Sequence, residues 1–275
     1  MAQKDGYDLQ TDAHVNYDRL ASSYDRRFAA SRQEGIVAAL LALAQDLDTE
    51  RILEVGCGTG RWLADLWPVT HRLYGLDPST GMLQQARKRK KQFYLIRGRA
   101  GQLPFPDTAF DLIYCVNAIH HFDRPRAFVS EARRLLRPGG VLAVIGTDPH
   151  SRRDDWYIYH YFEGTLETDL SRFPSWGTIL DWMVAAGFEG VEWRLVERIQ
   201  DNKVGREVLD DPFLQRGTAS QIALLTDEAC AAGLRRIETA LAEAEATGET
   251  LVFPVDLSFG ILIGRVQGSD QGHCL

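Results

Sequence analysis

No segment of the sequence reaches the roughly 18 uninterrupted apolar residues that a membrane span requires. The first thirty residues, broken up by Lys4, Asp5, Asp8, Asp12, Asp18 and Asp25, contain no apolar run resembling a secretion signal. The expectation is a soluble, cytoplasmic chain. Cysteine is sparse and scattered: Cys57, Cys115, Cys230 and Cys274 form no C-x-x-C pair and no Cys/His grouping at zinc spacing. That pattern excludes a disulfide framework, and the four are read as reduced thiols with no metal site. Positive charge is also in deficit, with 31 Lys and Arg against 38 Asp and Glu and a net charge of -7. Binding to nucleic acid by phosphate contacts needs clustered cations, so such a partner is not expected. The single basic run, Arg87 to Lys91, reads as a solvated helix end. Internal repeats and low-complexity tracts are missing as well.

What is present is 275 residues with 45% hydrophobic content, enough to bury the core of one large domain carrying an insertion. Strand and helix signals alternate regularly up to about Thr147. Arg51 to Val55 reads as a strand and Arg61 to Trp67 as a helix; Leu73 to Leu76 is a second strand, followed by a helix from near Ser79. Phe93 to Ile96 and Phe110 to Val116 are the third and fourth strands. Asp123 is the expected N-cap of the next helix, with Pro125 in its first turn. Its inward face is Phe128, Ala132, Leu135 and Leu136, and Pro138, Gly139 and Gly140 turn the chain into a fifth strand, Val141 to Ile145. Five strands separated by helices imply a parallel sheet covered on both faces, a doubly wound α/β fold.

After Thr147 the rhythm changes. Trp156 to Phe162 is dense in aromatics, Trp176 to Ala186 reads as a helix and Val191 to Val196 as a strand. Residues 201–248 then read as a helical insertion, with Thr226 as N-cap of a helix whose stripe is Cys230, Leu234, Ile237 and Leu241, and Gly248 as its stop. A final strand follows at about Leu257 to Val266. An insertion of this length between two strands reads as a lid over a binding site. The remaining residues, 1–200 and 249–275, form the main domain.

The strongest local signal is Glu54-Val55-Gly56-Cys57-Gly58-Thr59-Gly60, set between the first strand and first helix. Glycines here let the backbone pass close under a ligand and place amide groups at a helix N-terminus. The spacing is G-x-G-x-G, not the dinucleotide G-x-G-x-x-G, and an acid stands two positions before the first glycine. A carboxylate there suits an ammonium better than a pyrophosphate. Asp77, at the end of the second strand, is placed to accept hydrogen bonds from ribose hydroxyls, which fits an NAD site or an adenosyl site equally.

Taken with L-D-P-S at 76–79, L-P-F at 103–105, F-D at 110–111 and L-R-P-G-G at 136–140, this loop resembles the class I S-adenosylmethionine-dependent methyltransferases. The likeness is to the group that includes ubiquinone- and menaquinone-type methyltransferases and many small-molecule methyltransferases. It implies a Rossmann-like, seven-stranded, mostly parallel sheet whose last strand is antiparallel, preceded by a helical segment at 10–32. It also implies S-adenosylmethionine as cofactor and S-adenosylhomocysteine as product. By the same resemblance Glu54 holds the methionine end, Gly56, Cys57 and Gly58 line the methionine and ribose, and Asp77 binds the ribose diol. Pro78, Ser79 and Met82 border the adenine, Ala100 supplies a backbone contact, Asn117 faces the methionine portion, and Tyr17 and Tyr24 close over the cofactor. Where the family often carries an acid that bonds the adenine amino group, this chain has Arg99.

Methyl transfer from a sulfonium is a direct displacement that asks the protein chiefly to align the acceptor and exclude water. An alcohol or phenol acceptor also loses a proton, a task suited to histidine. His120 and His121, just past the fourth strand, are the candidate bases, and in the resembling group one of such a pair has that role. The alternative is that one imidazole caps backbone near Asp123 and the other packs on Phe122. Trp156, Tyr157, Tyr159, His160, Tyr161 and Phe162 are candidate walls of an acceptor pocket or of ordinary core. The expected activity is methylation of a small molecule, at oxygen first and at nitrogen or carbon otherwise. An NAD-dependent oxidoreductase and a non-catalytic adenosyl-ligand-binding module are the competing readings.

Overall fold

The computed structural model describes residues 15–22, 24–25, 33–89, 91–215 and 219–268. In the first half, α1 (Tyr17–Leu20) and α2 (Glu34–Asp46) precede β1 (Arg51–Val55), α3 (Arg61–Asp65), β2 (Arg72–Asp77), α4 (Thr80–Lys88), β3 (Tyr94–Arg97), β4 (Phe110–Val116), α5 (Pro125–Leu135) and β5 (Leu136–Gly146). The second half contains β6 (Asp155–Trp156), α6 (Tyr157–Tyr161), α7 (Thr165–Arg172), α8 (Trp176–Ala185), β7 (Phe188–Gln200), β8 (Lys203–Val204), α9 (Ser220–Ala223), α10 (Asp227–Thr247), β9 (Val252–Phe253) and β10 (Val255–Val266). Of the helical segment expected at 10–32, α1 is the described part of helix; most of the rest lies outside the described residues.

The main sheet runs β3-β2-β1-β4-β5-β10, with β7 and the two-residue β6 both pairing β10. It is parallel from β3 through β5 and antiparallel on both sides of β10. The count is therefore eight instead of the seven expected, because β6 adds a short pairing of Trp156 with Val255 and Asp155 with Asp256. Strand order reverses between β1 and β4. Chain segments leaving β1 and β4 diverge to opposite sides there, which opens a crevice beyond the carboxyl ends of the strands.

Side-chain alternation along each strand divides the core in two. Ile52, Leu112, Tyr114, Val141, Ala143, Ile261 and Ile263 face one layer, which also holds Ile36 and Leu40 of α2 and Ile237 and Leu241 of α10. Leu53, Ile113, Cys115, Leu142, Val144 and Leu262 face the other, against Phe128 and Ala132 of α5 and Met183 of α8. The stripe of α10 thus belongs to the same apolar layer as the sheet.

Several local expectations change in the structure. Arg124, not Asp123, is the N-cap of α5, with Pro125 at the first helical position; Asp123 instead pairs with Arg99. The helical reading of 201–248 holds for α9 and α10, while residues 201–215 form β8 and two 3-10 turns. There Lys203 and Val204 pair with Phe253 and Val252. Thr226 does cap α10, its side chain accepting the Ala229 N–H, and Gly248 ends it at φ 72°.

Gly233 on α10 meets the buried Phe162 ring so closely that an added Cβ would lie 2.2 Å from Cδ1. Alanine gains about 1 kcal/mol of helix propensity over glycine, whereas overpacking a core costs about 1–3 kcal/mol. Gly233→Ala is therefore expected to lower stability despite its better helix-forming residue. Urea unfolding of both proteins checks this; an increased midpoint would show that Phe162 yields freely.

Candidate active site

The glycine loop leaves β1 and crosses back beneath the end of β2, where the Gly56 and Cys57 N–H groups both donate to the Leu76 carbonyl at 2.7 and 3.1 Å. Gly56 has φ 75°, and a Cβ on it would meet Ala118 Cβ at 2.6 Å, so conformation and space both require glycine. Gly58 has φ 51°, with nothing within 4 Å of an added Cβ, because that direction opens into a cleft. Asp77, 8% exposed, lies beside it. Its Oδ2 accepts the Gly58 N–H at 2.9 Å and its Oδ1 the Ser79 N–H at 2.8 Å. Burial raises its pKa despite these two bonds.

The cleft has a volume of about 430 Å³ and is lined by Tyr17, Tyr24, Gly56, Gly58, Asp77, Pro78, Ser79, Met82 and Asn117, among others. Glu54 and Cys57 line a smaller recess at one end, shared with Gly56, Gly58, Asn117 and Tyr24. At the other end Ala100 lies with Arg99 and Asp123 around a cavity of about 340 Å³ that shares Gly56, Pro78, Tyr17 and His121 with the central cleft. The structure thus brings together all twelve residues singled out for the cofactor. The Cys57 thiol packs in the core and is pushed up by burial and by Glu54. Glu54 is itself buried and strongly raised by desolvation, with Tyr114 Oη donating to it at 3.2 Å.

Sequence reasoning missed the residues that fasten the N-terminal segment over this loop. Asp18 Oδ1 accepts the Gly81 N–H at 2.6 Å and the Ser79 hydroxyl at 2.8 Å, which holds its carboxyl below the usual range. The Thr59 hydroxyl donates to Asp25 at 2.7 Å, and Arg89 donates to Asp25 at 2.7 Å and to the Thr59 carbonyl at 2.6 Å. These contacts span sequence separations of 30 to 64 residues. No local signal announces them.

Tyr17, Tyr24, Asn117 and His121 line the cleft and also a second cavity of about 150 Å³. Tyr17 Oη and His121 Nε2 share a hydrogen bond of 2.7 Å at that junction. His120 faces the second cavity and stacks on Phe173 with ring centroids 3.7 Å apart. Of the expected aromatic walls, Trp156 and Tyr159 line this cavity. Tyr157 is buried, with its hydroxyl donating to Asp211; Phe162 packs in the core and the half-buried Tyr161 against it; and His160 pairs with Asp155 at 3.1 Å. Asp154, Phe213 and Phe259 are walls that the sequence reading did not name. The acid two positions before the aromatic run was the signal for the first of these.

The glycine loop and the Asp77 cradle lie within a segment of the chain that matches a known family. Residues 53–144 match the family described as "Methyltransferase domain". Among curated relatives, a demethylmenaquinone methyltransferase of Tropheryma whipplei is 34% identical over 143 residues, covering 46% of this chain and 56% of its own. A malonyl-[acyl-carrier protein] O-methyltransferase of Serratia marcescens is 33% identical over 127 residues, covering 46% of this chain and 49% of its own. The chain thus spans about half the length of these relatives. A putative methyltransferase of Anabaena variabilis shares the fold at 22% identity, with a TM-score of 0.62 over 83% of this chain and 96% of that one.

Asp154 sits among acids: burial, and then Asp256 and Asp148, push its carboxyl up to about 6 from 3.8. A raised carboxylate destabilises the folded state above the folded pKa, and the penalty disappears as pH falls below the unfolded value. Asp154→Asn keeps an oxygen for the Ser258 N–H. It is expected to be more stable than the parent at about pH 7.5, with the gap closing towards about pH 4. Urea midpoints across that range test this, and a gap independent of pH would contradict it.

Proposed function

We propose that the whole chain methylates a small-molecule acceptor, with S-adenosylmethionine in the cleft beyond β1, β2 and β4 and the acceptor in the adjoining cavity. The observation that carries this reading is the junction: Tyr17, Tyr24, Asn117 and His121 belong to both spaces. When bound, the cofactor supplies a sulfonium-activated methyl group. Asp77 binds the ribose hydroxyls with lone pairs left free by Gly58 and Ser79, and Glu54 and Asn117 border the methionine end. Pro78, Met82 and Ala100 enclose the adenine. Asp123, drawn across by Arg99, places a carboxylate at the end of the cleft where the family often has one. Tyr17 and Tyr24 cover the junction, with ring centroids 6.0 Å apart in an edge-to-face contact, and exclude water from the line of displacement.

The acceptor atom is read as oxygen, in keeping with relatives named as O-methyltransferases. His121 then takes the acceptor proton at Nδ1, its ring oriented through Nε2 by the Tyr17 hydroxyl, while His120 holds the cavity wall against Phe173. The segment 201–248, which contributes Asp201, Phe213 and Gln221 to that wall, acts as the lid.

Isothermal titration with adenosylmethionine, adenosylhomocysteine and NAD is the direct test. Adenosyl ligands are expected to bind and NAD to fail, and Asp77→Ala should weaken adenosyl binding by at least about tenfold through the lost hydrogen bonds. Binding of NAD alone would overturn the reading. With an acceptor identified by adenosylhomocysteine release, His121→Ala should lower kcat by roughly 10²–10⁴-fold, and His120→Ala by much less. Binding without release across an acceptor panel would mark a ligand-binding module.

A further inference from the structure

The second cavity carries a charge pattern of its own. Its walls are aromatic, from Trp156, Tyr159, Phe173, Phe213 and Phe259, and its two carboxylates are Asp154 and Asp201. Among the described residues no lysine or arginine lines it. The two acids are not equivalent. Asp201 is already compensated, with Lys203 Nζ 2.6 Å away. Among the described residues Asp154 accepts only the Ser258 N–H, at Oδ1 and 2.7 Å, and is in no ion pair.

The basic side chains of the neighbouring segments have partners of their own. Arg153 lies 4.9 Å over the Trp193 ring, and Arg198 makes a two-pronged pair with Asp256 at 2.7 and 2.6 Å. His160 is paired with Asp155, and Arg172 with the buried Asp169. A half-buried carboxylate facing a cavity without a counter-charge is costly. The upward push on its pKa is the same imbalance. A ligand cation removes it, and aromatic faces add attraction for that cation. In addition, Trp156, 4% exposed, has a buried Nε1–H with no hydrogen-bond partner among the described residues.

We propose that this cavity selects an acceptor bearing a protonated amine, anchored on the Asp154 carboxylate within the aromatic walls, and discriminates against carboxylate acceptors. The inference rests on reading the adjoining cleft as the cofactor site.

Three probes that share a phenol ring and differ at the chain end separate the cases: tyramine, tyrosol and 4-hydroxyphenylacetate. Each is titrated calorimetrically into the full chain saturated with adenosylhomocysteine. Tyramine is expected to bind at least about tenfold more tightly than 4-hydroxyphenylacetate, with tyrosol between, the scale of one charge-assisted hydrogen bond. Asp154→Asn should bring the three within about threefold while adenosylhomocysteine affinity stays unchanged, and Asp154→Glu should retain the preference. Equal or tighter binding of the carboxylate, a preference surviving in Asp154→Asn, or no binding of any probe overturns the proposal. Failure of adenosylhomocysteine to bind the parent protein, seen before any probe is added, falls on the cofactor reading itself.

Discussion

A carboxylate taken out of water must find donors, and at Asp77 both oxygens find backbone N–H groups, one from the glycine loop and one from the start of α4. That pair of bonds ties the turn after β1 to the turn after β2, and most of the site is arranged around it. Gly58 delivers its N–H from a left-handed backbone, and Ser79, which also caps α4 by accepting from the Met82 N–H, delivers its own. Ser79 passes the arrangement on by donating its hydroxyl to Asp18, which brings the N-terminal segment over the cleft. Removal of the charge at Asp77 would loosen a chain of contacts reaching from β1 to α1.

This cradle lies where it does because strand order reverses between β1 and β4. Parallel strands present their carboxyl ends on one edge, so Glu54, Asp77, Asn117 and Thr147 converge although they are far apart in sequence. The antiparallel β10 then inserts beside β5, and β7 and β6 pair with it, so the chain between β7 and β10 emerges beside the same crevice. The buried stripe of α10 joins the apolar layer on one face of the sheet, while the loop and 3-10 segment before it face the second cavity. The segment between β7 and β10 therefore contributes both to the core and to the wall of the second cavity.

Several buried acids are held at some cost. Glu54, Asp77 and Asp154 all have raised pKa values, chiefly from desolvation. Such groups concentrate where a fold is shaped for ligands and not for maximal stability. Their placement differs in kind: Glu54 is closed over by the Tyr114 hydroxyl, Asp77 is satisfied by backbone, and Asp154 faces a cavity with, among the described residues, a single bond.

The sequence by itself determined the sheet-and-helix alternation through β5, the glycine loop and the position of Asp77, because those depend on short-range periodicity, turn chemistry and residue spacing. It also marked Thr226 and Gly248 as the ends of α10, since capping is local. It could not determine that Asp123 would leave the cap of α5 to pair with Arg99, that β6 would add an eighth strand, or that Phe162 would enter the core while Trp156 and Tyr159 lined a cavity. Those outcomes were decided by tertiary structure, because each turns on which of two nearby faces meets a partner more than twenty residues distant. The junction of Tyr17 with His121, separated by 104 residues, is of the same kind. The sheet edge, and not any local pattern, brings them to one point.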